Sequence, residues 1–153
     1  MKIVQAENRI IRDLVRRCFA TDPDLLNRWH IAAPATLEQC VEKTMRDVDS
    51  FDESFRFYLI FSGENLVGYF GTEFGNYLNL IFVKPEFRNS DFMPEFWASI
   101  CKQMQKPFAT AVYSKNKPAI SFYSKRGRKV ADFKANGHEA TSFVFEKDED
   151  SCQ

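Results

Sequence analysis

The side chains able to do chemistry are unevenly spread along this chain. His30 and His138 stand far apart without neighbouring ligands, so neither marks a metal site. Cys18, Cys40, Cys101 and Cys152 form no CxxC pair, which excludes a zinc ribbon or a thioredoxin-like centre and leaves reduced thiols in a cytosol as the expectation. No serine lies in a nucleophile elbow and no NTPase-type phosphate loop exists, so hydrolase and kinase chemistry lack their parts. What remains is concentrated between residues 73 and 129: Glu73, Arg88, Asn116, Tyr123, and the cations Lys125, Arg126, Arg128 and Lys129 around Gly127. A tyrosine and a carboxylate can move protons, with Glu86 and Glu95 poorer candidates for a base than Glu73. A local cation group can hold an anion, although a charge run is more often a solvated face.

The apolar pattern tells which elements must position these groups. Met1 to Gln5 alternates as a short strand, and Asn8 stands as N-cap to a helix carrying Ile10, Ile11, Leu14, Val15 and Phe19 at helical spacing. After the turn-prone Asp22-Pro23-Asp24, Thr36 and Gln39 form a capping-box pattern that opens a second helix through about Val48. From Phe55 the period becomes two: strands over 55–62, 66–74 and 77–83 are separated by turns at Gly63-Glu64-Asn65 and Gly75-Asn76. The third strand, almost wholly apolar, suits the middle of a sheet. A helix from Pro94 to about Gln105, a strand over 108–113, and a short helix from Pro118 that Gly127 stops come next. Val130 to Phe133 and Thr141 to Phe145 close the chain as a hairpin around Asn136-Gly137.

This order predicts an α/β fold with a mixed, mostly antiparallel central sheet and flanking helices. The strand-helix-strand crossover makes 78–83 and 108–113 parallel neighbours, and ligands bind near the C-terminal ends of such strands. The chemistry is therefore expected around Val83, Arg88 and Tyr113 to Tyr123.

Composition bounds the rest. The 153 residues fit one domain, expected over 1–146, with 147–153 as an acidic frayed tail. The 16 Phe, 5 Tyr and 2 Trp supply a core without metals or disulfides. Lys plus Arg and Asp plus Glu both number 21, so no net field attracts nucleic acid. No signal-peptide stretch and no run of about eighteen apolar residues occurs, so a soluble, cytoplasmic protein without a membrane partner is expected.

Two segments carry a family resemblance. Leu80-Ile81-Phe82-Val83-Lys84-Pro85-Glu86-Phe87-Arg88 resembles the central strand and turn of the GNAT acetyltransferases, and Asn116-Lys117-Pro118-Ala119-Ile120-Ser121-Phe122-Tyr123 followed by Gly127 resembles their N-x-x-A-x-x-(F/L)-Y-x-x-x-G element. The resemblance covers the chain from about Phe55 onward. It implies a GNAT-like fold and transfer of an acetyl group from acetyl-CoA to an amine of a small molecule or a protein, with a homodimer as one possible assembly. Backbone groups around Ile81, Phe82 and Val83 would bind the pantetheine amides, as a ligand adds to a strand edge. Asn116 would hold the pantetheine arm or orient the helix start, and Tyr123 would protonate the departing thiolate. Arg88, Asn89, Ser90 and Lys125 would face the phosphates, and Glu73 would relay the amine proton through water. Ordinary structural roles compete: a core strand, a helix-entry Asn, a half-buried Tyr and an exposed carboxylate.

The loop Arg88-Asn89-Ser90-Asp91-Phe92-Met93 departs from the family pattern R-x-x-G-x-(G/A). Asp91 and Met93 stand where small residues let backbone N–H groups approach the pyrophosphate, and a carboxylate there repels it. The alternative reading is thus an inactive GNAT-fold binding or structural protein, for example an accessory or phage-borne one, that has lost the CoA phosphate loop.

Overall fold

A computed structural model of the chain describes residues 1–21, 36, 38–39, 41–42, 45–46, 54–89, 91–135 and 137–146. The predicted turn at Asp22-Pro23-Asp24, Asn136, and the acidic tail over 147–153 lie outside the described residues.

Strand β1 (Lys2–Gln5) leads into helix α1 (Asn8–Thr21). On α1 Ile11 is fully buried, whereas Ile10 of the same expected stripe is exposed. The capping box forms as predicted, Thr36 N donating to Gln39 Oε1 at 2.8 Å and Gln39 N to Thr36 Oγ1 at 3.2 Å. Positions 38–39, 41–42 and 45–46 are helical. Ion pairs of Arg16 with Glu38 and Arg12 with Glu42 lay them beside α1.

Strands β2 (Phe55–Ser62), β3 (Asn65–Glu73) and β4 (Tyr77–Val83) form an antiparallel meander. A 3₁₀ turn (Pro85–Phe87), helix α2 (Met93–Gln103), strand β5 (Phe108–Tyr113) and helix α3 (Lys117–Ser124) follow. Strands β6 (Arg128–Ala135) and β7 (His138–Phe145) end the described chain. The seven strands share one sheet in the order β1-β2-β3-β4-β5-β7-β6, with β4 and β5 the parallel pair. In the final hairpin β7, which buries Ala140, Phe143 and Phe145, inserts beside β5, and β6 with its exposed side chains becomes the edge.

The core packs α2 on the sheet. Trp97 sits at its centre, with ring centroids 5.0 Å from Phe145, 5.4 Å from Phe122, 5.9 Å from Phe108 and 5.9 Å from Tyr123. These rings fix the face of α3 that looks into the molecule, and thereby Tyr123. Cys101, on the same helix as Trp97, is disulfide-bonded, against the expectation of reduced thiols. Gly127 is not a left-handed helix stop. A Cβ there would come within 2.5 Å of the Phe145 ring and 2.8 Å of the Val144 carbonyl oxygen, so close packing requires the glycine.

Candidate functional site

Strands β4 and β5 pair only at Tyr77 with Ala109 and Leu78 with Thr110. Beyond that point β5 continues along β7 and β4 continues along β3, so the sheet forks. The cause lies in register. Between Gly71 and Thr72 the pairing of β3 with β4 shifts by one, leaving Asn79 in excess on β4. Such a bulge bends its strand. Asn79 Nδ2 donates to Glu73 Oε1 at 2.5 Å, fastening the bulge to the end of β3.

Past the bulge, Lys84 N donates to the Val67 carbonyl at 2.9 Å. Antiparallel alternation then points the backbone groups of Phe82 at Tyr69 on β3, and those of Ile81 and Val83 toward the fork. Arg88 Nε donates to the Val83 carbonyl at 2.7 Å, and its guanidinium carbon lies 5.5 Å from the Phe82 ring centroid. Arg88 is thereby laid along the end of β4.

A cavity of about 250 Å³ fills the fork. Ile81, Phe82, Val83 and Arg88 line one side, Asn116, Pro118, Ala119, Phe122 and Tyr123 the other, and Met93 of α2 also borders it. Asn116 caps α3, its Oδ1 accepting from Ala119 N at 3.4 Å, with Pro118 in the first turn. Tyr123 lies one face deeper, 3 % exposed, with Phe143 and Phe145 each 5.8 Å away. Thr110 Oγ1 donates to the Leu78 carbonyl at 2.8 Å and is also the hydrogen-bonding neighbour of the Tyr123 hydroxyl. The phenol is thus held at the last paired rung of the fork. Burial raises its pKa far above the usual tyrosine value, the Thr110 hydrogen bond opposes that rise, and Tyr77 adds to it. Tyr77 is itself shifted up, by burial and then by the Glu73 charge. Glu73 thus acts on Tyr77 and Tyr77 on Tyr123 under the fork, and Tyr123 stays protonated across the neutral range.

The loop before α2 is closed on itself. Asn89 Oδ1 accepts from Asp91 N at 2.9 Å and Phe92 N at 3.2 Å, while the Asn89 carbonyl accepts from Met93 N at 3.0 Å. Pro94 brings no N–H, and Glu95 in the first turn binds the N-terminal ammonium of Met1 at 3.2 Å. The rings of Phe87 and Phe92 meet edge to face across the loop at 4.9 Å. The basic run after Tyr123 is also engaged: Arg128 pairs with Glu146 and Lys129 with Asp132, both at 2.6 Å. Arg126 lies 3.7 Å over the Phe122 ring and donates to the Phe122 carbonyl.

Six of the expected residues, Ile81, Phe82, Val83, Arg88, Asn116 and Tyr123, meet at one cavity. Glu73 sits at the opposite end of β4, and neither Asn89 nor Lys125 is among the residues lining the cavity. Ser90 lies outside the described residues. Thr110 and Phe122 escaped the sequence reading: a buried threonine on a strand is mute until its partner strand is known, whereas Phe122 lay inside a quoted motif and was readable. A thioester on a pantetheine arm fits the open β4 edge and the apolar cavity. A pyrophosphate does not fit the loop, where the N–H groups of Asp91, Phe92 and Met93 are taken by Asn89 and Asp91 carries a negative charge.

The molecule is thus an α/β protein with a forked, mixed sheet and a buried tyrosine at the fork. The model of the acetyltransferase (GNAT) family matches residues 11–127, and the chain belongs to that family. No curated protein matches the chain. Among solved structures, an acetyltransferase from Thermus thermophilus superposes with a TM-score of 0.63 at 22% identity, over 94% of this chain and 96% of that one. The spermidine N-acetyltransferase of Vibrio cholerae in complex with CoA and spermine gives 0.57 at 14% identity, over 94% of each chain. The Salmonella typhimurium acetyl transferase that modifies the N-terminal serine of ribosomal protein L7/L12 gives 0.64 at 10% identity, over 95% of this chain and 94% of that one. These similarities are to the fold. No described helix is long and apolar enough to cross a membrane.

Proposed function

We propose that this chain is an N-acetyltransferase that takes an acetyl group from acetyl-CoA and places it on an amine. One observation carries the reading: a buried, proton-holding tyrosine lies at the end of an apolar fork whose β4 edge offers the backbone groups of Ile81 and the N–H of Val83, the Val83 carbonyl being taken by Arg88. Family membership and neighbours that act on spermidine or a protein N-terminus support it.

When bound, the donor supplies an activated thioester. The Ile81 and Val83 edge, with Asn116 opposite, orients the pantetheine arm, and Met93, Phe122 and Phe82 keep water from it. As the amine nitrogen bonds to the acetyl carbon and the carbon–sulfur bond breaks, Tyr123 gives its proton to the sulfur. The amine proton passes through water toward Glu73, with Tyr77 between them. Asn89, Ser90 and Lys125 hold no assigned part in this scheme.

The test is direct. Purified protein is incubated with acetyl-CoA and either spermidine or a peptide with an N-terminal serine, and the amine product is weighed by mass spectrometry. An amine heavier by one acetyl group, dependent on protein, is expected. Absence of acetylated product with every amine class, together with no acetyl-CoA binding, overturns the proposal in favour of an inactive relative.

A further inference from the structure

The strongest discordance within the site is between its two ends. The fork offers an unpaired strand edge and apolar walls suited to an amide-bearing arm. The start of α2, beside the same cavity through Met93, is where a helix would ordinarily meet an anion. Here Asn89 fills that role from within, its side-chain oxygen bonded to two successive N–H groups and its carbonyl to the third. Asp91 adds negative charge at the same place, Glu95 is paired with the Met1 ammonium, and Pro94 removes a donor. Arg88, the charged residue bordering the cavity, gives its Nε to the Val83 carbonyl.

We infer that Asn89 is an internal plug of the anion cradle, so the site recognises its acyl donor by the pantetheine thioester arm and is indifferent to the nucleotide pyrophosphate. The inference rests on the acyltransferase reading and narrows its donor: a nucleotide-free acyl-pantetheine serves as well as acetyl-CoA. A phosphate entering the loop would have to displace the Asn89 carboxamide and approach the Asp91 carboxylate, losing hydrogen bonds already made and meeting like charge. The pantetheine amides face no such competition at Ile81, whose edge groups point into the fork.

Isothermal titration of the full chain with S-acetyl-pantetheine and with acetyl-CoA tests this. Dissociation constants within about threefold of each other are expected, and acetyl-CoA tighter by about tenfold or more overturns the inference while leaving the acyltransferase reading intact. If neither probe binds, both fail. Asn89→Gly provides a second reading: released N–H groups are expected to tighten acetyl-CoA by about threefold or more with S-acetyl-pantetheine unchanged. A folded Asn89→Gly chain in which both constants stay as before refutes the plug, and the wild-type comparison stands whether or not that variant folds.

Discussion

Replacing Tyr123 by Phe removes one oxygen from the deepest part of the fork and keeps the ring among Trp97, Phe143 and Phe145. Thr110 still donates to the Leu78 carbonyl, so the fork itself survives, and the loss is one buried hydrogen bond with Thr110. That costs about 0.5–1.5 kcal/mol of stability. At roughly 2–4 °C per kcal/mol for a chain of this size, melting falls by only a few degrees. Loss of a general acid costs about 10²–10⁴ in rate, which is roughly 3–5 kcal/mol of barrier. The assay is single-turnover acetyl transfer with the variant, beside its affinity for the donor. The expected pattern is a collapse of the chemical step with binding within about twofold of wild type. A fully folded Tyr123→Phe chain that transfers at more than about a third of the wild-type rate refutes the acid role, because no general acid is worth so little.

Other outcomes follow from the same contacts. Gly127→Ala drives a methyl into the Phe145 ring and the Val144 carbonyl, and should destabilise by about 1–3 kcal/mol in a denaturant titration. Phe74, 74 % exposed and held at φ 54°, carries left-handed strain; Phe74→Asn should stabilise by about 1 kcal/mol in the same experiment. Tyr123 has a folded pKa above its unfolded value, so its stabilising effect is complete below about pH 10 and is lost as pH rises toward the folded value, at about 1.4 kcal/mol per pH unit. Urea titrations at about pH 9 and about pH 11 should show a shallower alkaline loss in Tyr123→Phe than in the wild type; equal losses would contradict the burial of the hydroxyl.

Much of the frame was legible from local pattern. The two-residue period of Phe55 to Val83, the Thr36–Gln39 cap and the helix start near Pro118 depend on neighbours in sequence and formed close to where they were read, with boundary shifts of one residue in β3 and at the start of α3 and of one to three residues in helix α2 and the terminal hairpin. Asn116 and Tyr123 reach the fork because seven positions on a helix span two turns of one face. What escaped reading depends on partners distant in the chain. Thr110 matters only because Leu78 lies beside it, and Gly127 only because Phe145 returns against it. Asp91 and Met93 were legible as departures from a loop pattern, but the Asn89 carboxamide folding back over the loop amides was not, since its rotamer is a property of the folded loop. The bulge at Asn79 is likewise invisible in a run of seven strand residues until the register with β3 is known.

The central claim is that the β4 edge at the fork receives the donor. Amide hydrogen exchange at Ile81 and Val83, followed with and without saturating acetyl-CoA, measures that edge directly. Slowed exchange at both amides, with Phe82 unchanged because its N–H already faces β3, is the result the account predicts. Unaltered exchange at Ile81 and Val83 in a protein shown to be saturated with acetyl-CoA would contradict it.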